Sequence, residues 1–153
     1  MSILVMKFGG TSVANLNRIK NLYKLVKQKI DSGQKKLVIV VSAMSGVTNS
    51  LVKEFKKIDD EINNPEYDVV VSTGEQYSSA IISAYLNKKG IRSRSLMGWQ
   101  IPIFTDDHYG KSKIQSIDHK TLKKFLKKFD VLVIAGFQGI SSENRITTLG
   151  RGG

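Results

Sequence analysis

The sequence predicts an α/β fold built around a buried, mostly parallel sheet. Two apolar runs, Leu37-Val38-Ile39-Val40-Val41 and Val131-Leu132-Val133-Ile134, are continuous rather than alternating, as strands covered on both faces require. Stretches of helical periodicity separate the apolar runs, so strand and helix alternate along the chain. Three of the runs end in glycine-containing turns, which is where open α/β sheets place ligands.

Taken in order, Ile3-Leu4-Val5-Met6 is a short strand ending at Gly9-Gly10. Ile19, Leu22, Tyr23, Val26 and Ile30 then recur at helical spacing, and Ser32-Gly33 closes that helix. After the strand Leu37–Val41 and the turn Ser42–Gly46, a second helix is marked by Val47, Leu51, Phe55, Ile58 and Ile62 and stops before Pro65. The β-branched content of residues 68–73 favours a strand. Residues 77–86, after Gly74-Glu75, read as a helix with Ile81, Ile82 and Tyr85 on one side. A strand over 91–97 and a long loop over 99–113 follow, and a loop of that length in a compact domain often borders a site. Trp99, which opens it, is read as a packing residue. Leu122, Phe125, Leu126 and Phe129 line a further helix, and Val131–Ile134 runs into the turn Gly136-Phe137-Gln138-Gly139.

A chain of 153 residues with 41% hydrophobic content supports one core, in one domain or part of one. The glycine-rich ending Thr147-Thr148-Leu149-Gly150-Arg151-Gly152-Gly153 suggests a truncated domain. No apolar run reaches bilayer length and no signal peptide is evident, so a soluble, cytoplasmic protein is expected, with no membrane partner. The lack of cysteine excludes disulfides and thiolate zinc sites, and His108 and His119 lack a second ligand at metal-binding spacing. The net charge of +11 suits an anionic partner. Much of it lies on predicted helices, at Lys24, Lys27 and Lys29 and at Lys120, Lys123, Lys124, Lys127 and Lys128, where a solvated face is expected. Nucleic-acid binding finds neither interleaved aromatics nor a helix-turn-helix to support it.

Chemistry concentrates first at Lys7-Phe8-Gly9-Gly10-Thr11-Ser12. Between a strand and a helix, Gly9 and Gly10 would let backbone amides approach phosphate oxygens, and Lys7 would supply a positive charge. A tight turn beside a solvated lysine accounts for the same spacing equally well. Gly110-Lys111-Ser112 imitates the end of a P-loop, but Thr105 stands where its first glycine belongs.

Lys7-Phe8-Gly9-Gly10-Thr11-Ser12-Val13 followed by Val41-Ser42-Ala43-Met44-Ser45-Gly46-Val47-Thr48-Asn49 resembles the aspartate kinases of the amino-acid kinase family. Ser72-Thr73-Gly74-Glu75-Gln76, Gly98-Trp99-Gln100, Thr105-Asp106-Asp107, Ala135-Gly136-Phe137-Gln138-Gly139 and Thr147–Gly153 continue the resemblance in order and spacing over essentially the whole chain. It implies a truncated three-layer α/β/α sandwich, the N-terminal portion (1–153) of a single catalytic domain. It also implies a helix over 68–73, against the β-branched composition. The implied reaction moves the γ-phosphoryl group of ATP to the β-carboxylate of L-aspartate, the first step toward lysine, threonine and methionine.

In that family Lys7 matches the catalytic, phosphate-stabilising cation, with Gly9, Gly10, Thr11 and Ser12 around the ATP phosphates. Ser42, Thr48, Glu75 and Arg151 match the aspartate pocket, Arg151 suiting the α-carboxylate and Glu75 the α-ammonium. Mg²⁺ should bridge the phosphates, and the complete protein should form a homo-oligomer. On their own, Ser42 and Thr48 read first as helix caps, Glu75 as a partner for a lysine and Arg151 as a solvated tail residue. The family continues past Gly153 into more of the nucleotide-binding sheet and, in many members, regulatory domains, so this stretch alone is expected to turn over little. Two rival readings are another amino-acid kinase, acting on glutamate, carbamate or a nucleoside monophosphate, and a non-catalytic basic binding module.

Overall fold

The computed structural model describes residues 1–151. Its first half alternates as expected: β1 (Ile3–Phe8), α1 (Leu16–Asp31), β2 (Lys36–Val41), α2 (Val47–Lys56), α3 (Pro65–Val71) and α4 (Thr73–Lys88). The second half runs β3 (Ser93–Leu96), β4 (Ile103–Thr105), β5 (Ile114–Ile117), α5 (His119–Lys128), β6 (Val131–Ala135), β7 (Gln138–Ile140) and β8 (Ile146–Thr148).

Four strands form an all-parallel sheet in the order β1-β2-β6-β3. Successive side chains of a strand point to opposite faces, so β2 divides its apolar run between two cores. Leu37, Ile39 and Val41 pack with Val131 and Val133 against Ile19, Leu22 and Val26 of α1 and Ile82 and Leu86 of α4. Val38 packs on the other face with Leu132, Ile134 and Leu126 of α5. The result is the expected α/β/α layering. That second face is only partly covered, and Val5 on the edge strand β1 keeps 63% of its surface exposed.

The helix ends follow local chemistry. Asn15 accepts from the Arg18 amide at 3.0 Å to start α1, and Asp118 accepts from the amides of Lys120 and Thr121 at 2.9 and 3.0 Å to start α5. The lysines of α5 are exposed, as expected of a solvated face. Pro65 occupies the first turn of α3 behind an Asn64 cap.

Several expectations are corrected. The second helix stops at Lys56, and Ile58 is 89% exposed. Asp59 bonds the Glu61 amide and the Asn64 side chain at 2.9 Å each, a local turn that competes with helix continuation. Residues 68–73 are the end of α3 and the start of α4, helical as the family resemblance implies and not the strand that composition favours. Ile81 faces outward, because the buried stripe of α4 runs through Ser78, Ser79, Ile82, Ser83 and Leu86. The supposed loop 99–113 contains β4, and the supposed turn at Gln138-Gly139 is β7. These belong to a second sheet, β5-β4-β7-β8, that the periodicity did not disclose. Trp99 is 36% exposed rather than packed away.

Candidate functional site

The C-terminal ends of β1, β2 and β6 open onto a cleft of about 750 Å³. Lys7, Gly10, Ser42, Thr48, Glu75 and Arg151 all line it, although they come from five separate segments of the chain. Lys7 is the penultimate residue of β1, in register with Val40, and alternation puts it on the same side as the exposed Val5. It projects from the sheet edge into solvent at the cleft.

The turn after β1 is fixed against the turn after β2. The Ser45 amide donates to the Gly10 carbonyl at 3.2 Å, and a Cβ on Gly10 would stand 2.9 Å from the Ala43 carbonyl oxygen. Only glycine lets the two turns approach this closely. A Cβ on Gly9 would meet nothing within 4 Å among the described residues, so Gly9 borders open space there. Thr11 and Ser12 are exposed and lie outside the cleft lining, on a 3₁₀ turn closed by the Ser12 amide donating to the Gly9 carbonyl at 3.0 Å. That turn, over Gly10–Val13, separates Gly9-Gly10 from α1, so the helix N-terminus expected beside the glycines sits several residues further on.

Neither Ser42 nor Thr48 caps α2. Its N-cap is Gly46, at φ 84°, with no side-chain cap. Glu75 does not pair with a lysine among the described residues. It occupies the first turn of α4, is 3% exposed, and accepts from the Ala43 amide through Oε1 at 3.1 Å. Its Oε2 is buried without a hydrogen-bond partner among the described residues. Burial pushes the carboxyl up to about 7, against the opposing pull of the Ala43 amide and the Arg151 charge. Gly74 makes this placement possible, since a Cβ there would lie 2.8 Å from that of Ala43 and 3.2 Å from Val47 Cγ1.

Arg151 is not a free tail residue. Its Nη1 donates to Asn49 Oδ1 at 2.6 Å, bringing the guanidinium to the first turn of α2. Asn49 also lines the cleft and was not singled out from the sequence, although it adjoins Thr48. Gly152 and Gly153 lie outside the described residues.

The cleft thus carries an exposed cation at one strand end and, on other elements, a buried carboxylate under the influence of a guanidinium. That pairing suits a small zwitterion whose acidic end meets an anionic phosphoryl group. The expected Mg²⁺ is one bridging the ATP phosphates, not one held in a cage of side chains. Among the described residues no three His, Asp or Glu side chains are grouped to hold a metal, and Glu75 is the one carboxylate along the cleft. His108 and His119 are both exposed.

The aspartokinase of Rickettsia conorii is 42% identical over 156 residues, covering 100% of this chain and 39% of its own length. The aspartate kinase of Pseudomonas putida is 44% identical over 153 residues, covering 100% and 37%. The chain therefore spans less than two-fifths of the length of these relatives. Among solved structures, the aspartate kinase from Synechocystis is similar with a TM-score of 0.79 at 38% identity, over 99% of this chain and 25% of that one. E. coli aspartokinase III in complex with aspartate and ADP gives a TM-score of 0.83 at 24% identity, over 99% and 44%, a likeness of fold. Residues 2–153 match the amino acid kinase family, and with the parallel sheet and its strand-end cleft in place the chain belongs to that family.

Proposed function

We propose that residues 1–153 are the N-terminal portion of the catalytic domain of an aspartate kinase. The protein carrying them transfers the γ-phosphoryl group of ATP to the β-carboxylate of L-aspartate, giving 4-phospho-L-aspartate. The observation that carries this reading is Glu75, a buried carboxylate with one oxygen unpartnered and the Arg151 charge acting on it. An α-ammonium reaching Oε2 would complete its hydrogen bonding and favour its ionised form. Arg151 would then take the neighbouring α-carboxylate through its remaining guanidinium donors.

With both α-substituents held, the β-carboxylate is the free end of the substrate. A carboxylate is already a competent nucleophile, so positioning it removes much of the barrier without a general base. Lys7 would offset the charge on the phosphoryl group as it transfers, a role worth about 3 kcal/mol for a single well-placed donor. Relatives named aspartokinase and aspartate kinase, at 42% and 44% identity, support the acceptor, and the E. coli homologue of this fold complexed with aspartate and ADP supports both substrates. A cytoplasmic location suits such an enzyme, and among the described residues no helix is long and apolar enough to cross a membrane.

The test is hydroxylamine trapping of acyl phosphate by the full natural polypeptide carrying this sequence, with ATP, Mg²⁺ and L-aspartate. Glutamate, carbamate and a nucleoside monophosphate serve as competing acceptors. Aspartyl hydroxamate formed in preference to every other product is the expected result. Transfer to a different acceptor, or binding of ATP with no transfer to aspartate, would overturn the reading.

A further inference from the structure

Asp68 has no exposed surface and takes no part in the chemistry above. Its Oδ1 accepts from the Gly110 amide at 2.8 Å and from Thr148 Oγ1 at 3.0 Å, and its Oδ2 accepts from the Thr148 amide at 2.7 Å. Backbone amides thus donate to both carboxyl oxygens, and the Thr148 hydroxyl completes the set. Burial pushes this group up to about 6, with the Thr148 and Gly110 donors and the Arg145 charge pulling the other way. Three segments meet at one side chain: α3, the turn between β4 and β5, and the end of β8.

What lies beyond each segment gives the junction its significance. Thr148 is three residues before Arg151, and the intervening Leu149 and Gly150 line the cleft. The strand end is held further by the Ser112 amide donating to the Thr148 carbonyl at 2.9 Å and the Leu149 amide donating to the Phe137 carbonyl at 2.8 Å. On the other side, α3 passes through Ser72 directly into α4, whose first turn carries Glu75. Asp68 therefore joins the strand that delivers the guanidinium to the helix pair that delivers the carboxylate.

We propose that Asp68 is a positioning residue: by fastening the end of β8 to α3 it sets where Arg151 stands relative to Glu75, and so governs aspartate binding. The assignment rests on the aspartate-kinase reading of the site. A purely structural Asp68 would, when altered, lower stability and affect both substrates alike.

The discriminating measurement is the pair of KM values, for aspartate and for ATP, in the full natural polypeptide. Asp68→Asn replaces one acceptor by an amide nitrogen that faces a backbone N–H in either orientation, that of Gly110 or that of Thr148. It is expected to raise KM for aspartate by about tenfold or more while KM for ATP stays within about twofold. Thr148→Val removes the hydroxyl bond with little change of shape and should shift the aspartate KM in the same direction by a smaller factor, whereas Thr148→Ser should restore it. If Asp68→Asn does not fold, the two Thr148 variants decide. Equal shifts in both KM values, or Thr148→Val matching Thr148→Ser, would overturn the assignment alone. A wild-type protein that does not phosphorylate aspartate would overturn the reading of the site, and this assignment with it.

Discussion

The Ala43 amide donates to Oε1 of Glu75 at 3.1 Å, and the other oxygen of that carboxylate is buried without a partner among the described residues. Burial with one oxygen unpartnered makes Glu75 a carboxyl whose ionised form the fold disfavours. Burial raises it from 4.5 to about 7, so between those limits the native state holds a proton that the unfolded chain has released. The corresponding stability is complete below the unfolded value, falls as pH rises through the interval, and is lost above the folded value. At ~1.4 kcal/mol per pH unit the interval amounts to ~3 kcal/mol at most. Urea unfolding of the ligand-free wild type and Glu75→Gln at pH 5 and pH 8 should show the wild type losing more stability on alkalinisation. Asp68, raised to about 6, contributes in the same sense to both proteins and cancels in the comparison. Parallel loss in the two proteins would mean that Glu75 does not retain its proton in the fold.

Lys7 separates function from stability more cleanly, because its side chain is exposed and makes no ion pair among the described residues. Lys7→Ala should leave the free energy of unfolding within about 0.5 kcal/mol of wild type. In the full natural polypeptide it should lower kcat by about two to three orders of magnitude, the cost of removing one charge-stabilising donor. A variant that retains near-wild-type kcat would remove Lys7 from the catalytic role.

The parallel sheet was legible because β2 and β6 are its inner strands, buried along most of their length, and burial of successive side chains on opposite faces leaves a continuous apolar run. Glu75, Ser42, Thr48, Arg151 and Lys7 were legible through resemblance, and the structure brings these five to one cleft. The second sheet was not legible. Its strands β4, β7 and β8 are three residues each, too short for periodicity to register, and β5 is exposed along its whole length. The helix across 68–73 defeated composition because Asn64 and Pro65 set its start and override the β preference of Val69, Val70 and Val71. Asp68 was passed over since nothing in the sequence shows that Gly110 and Thr148, 42 and 80 residues away, close around it.

Gly9 and Gly10 look interchangeable in the sequence and are not interchangeable in the structure. A methyl group on Gly10 would collide with the Ala43 carbonyl at 2.9 Å, backbone that cannot yield without separating the two turns. Gly10→Ala should cost about 1–3 kcal/mol. Gly9 has φ −75° and open surroundings, so Gly9→Ala should fold with near-wild-type stability. Any rise in KM for ATP from Gly9→Ala would then report a phosphate group approaching the backbone there. An unchanged KM would exclude Gly9 from the nucleotide cradle.

Arg151 and Asn49 offer a test of how the acceptor is held. The pair is exposed, and among the described residues it makes a single hydrogen bond of 2.6 Å, so the guanidinium keeps further donors for a fork on a carboxylate. Arg151→Lys keeps the charge but removes the fork, and should raise KM for aspartate by about tenfold or more with little effect on stability. Asn49→Ala should raise it by a smaller factor, because it loosens the guanidinium without removing it. If Asn49 acts through Arg151, the two changes will not add: in the Arg151→Lys background the Asn49 substitution should have almost no further effect on KM. Additive effects would indicate that Asn49 touches the substrate itself, and an unchanged KM in Arg151→Lys would place the α-carboxylate elsewhere in the cleft.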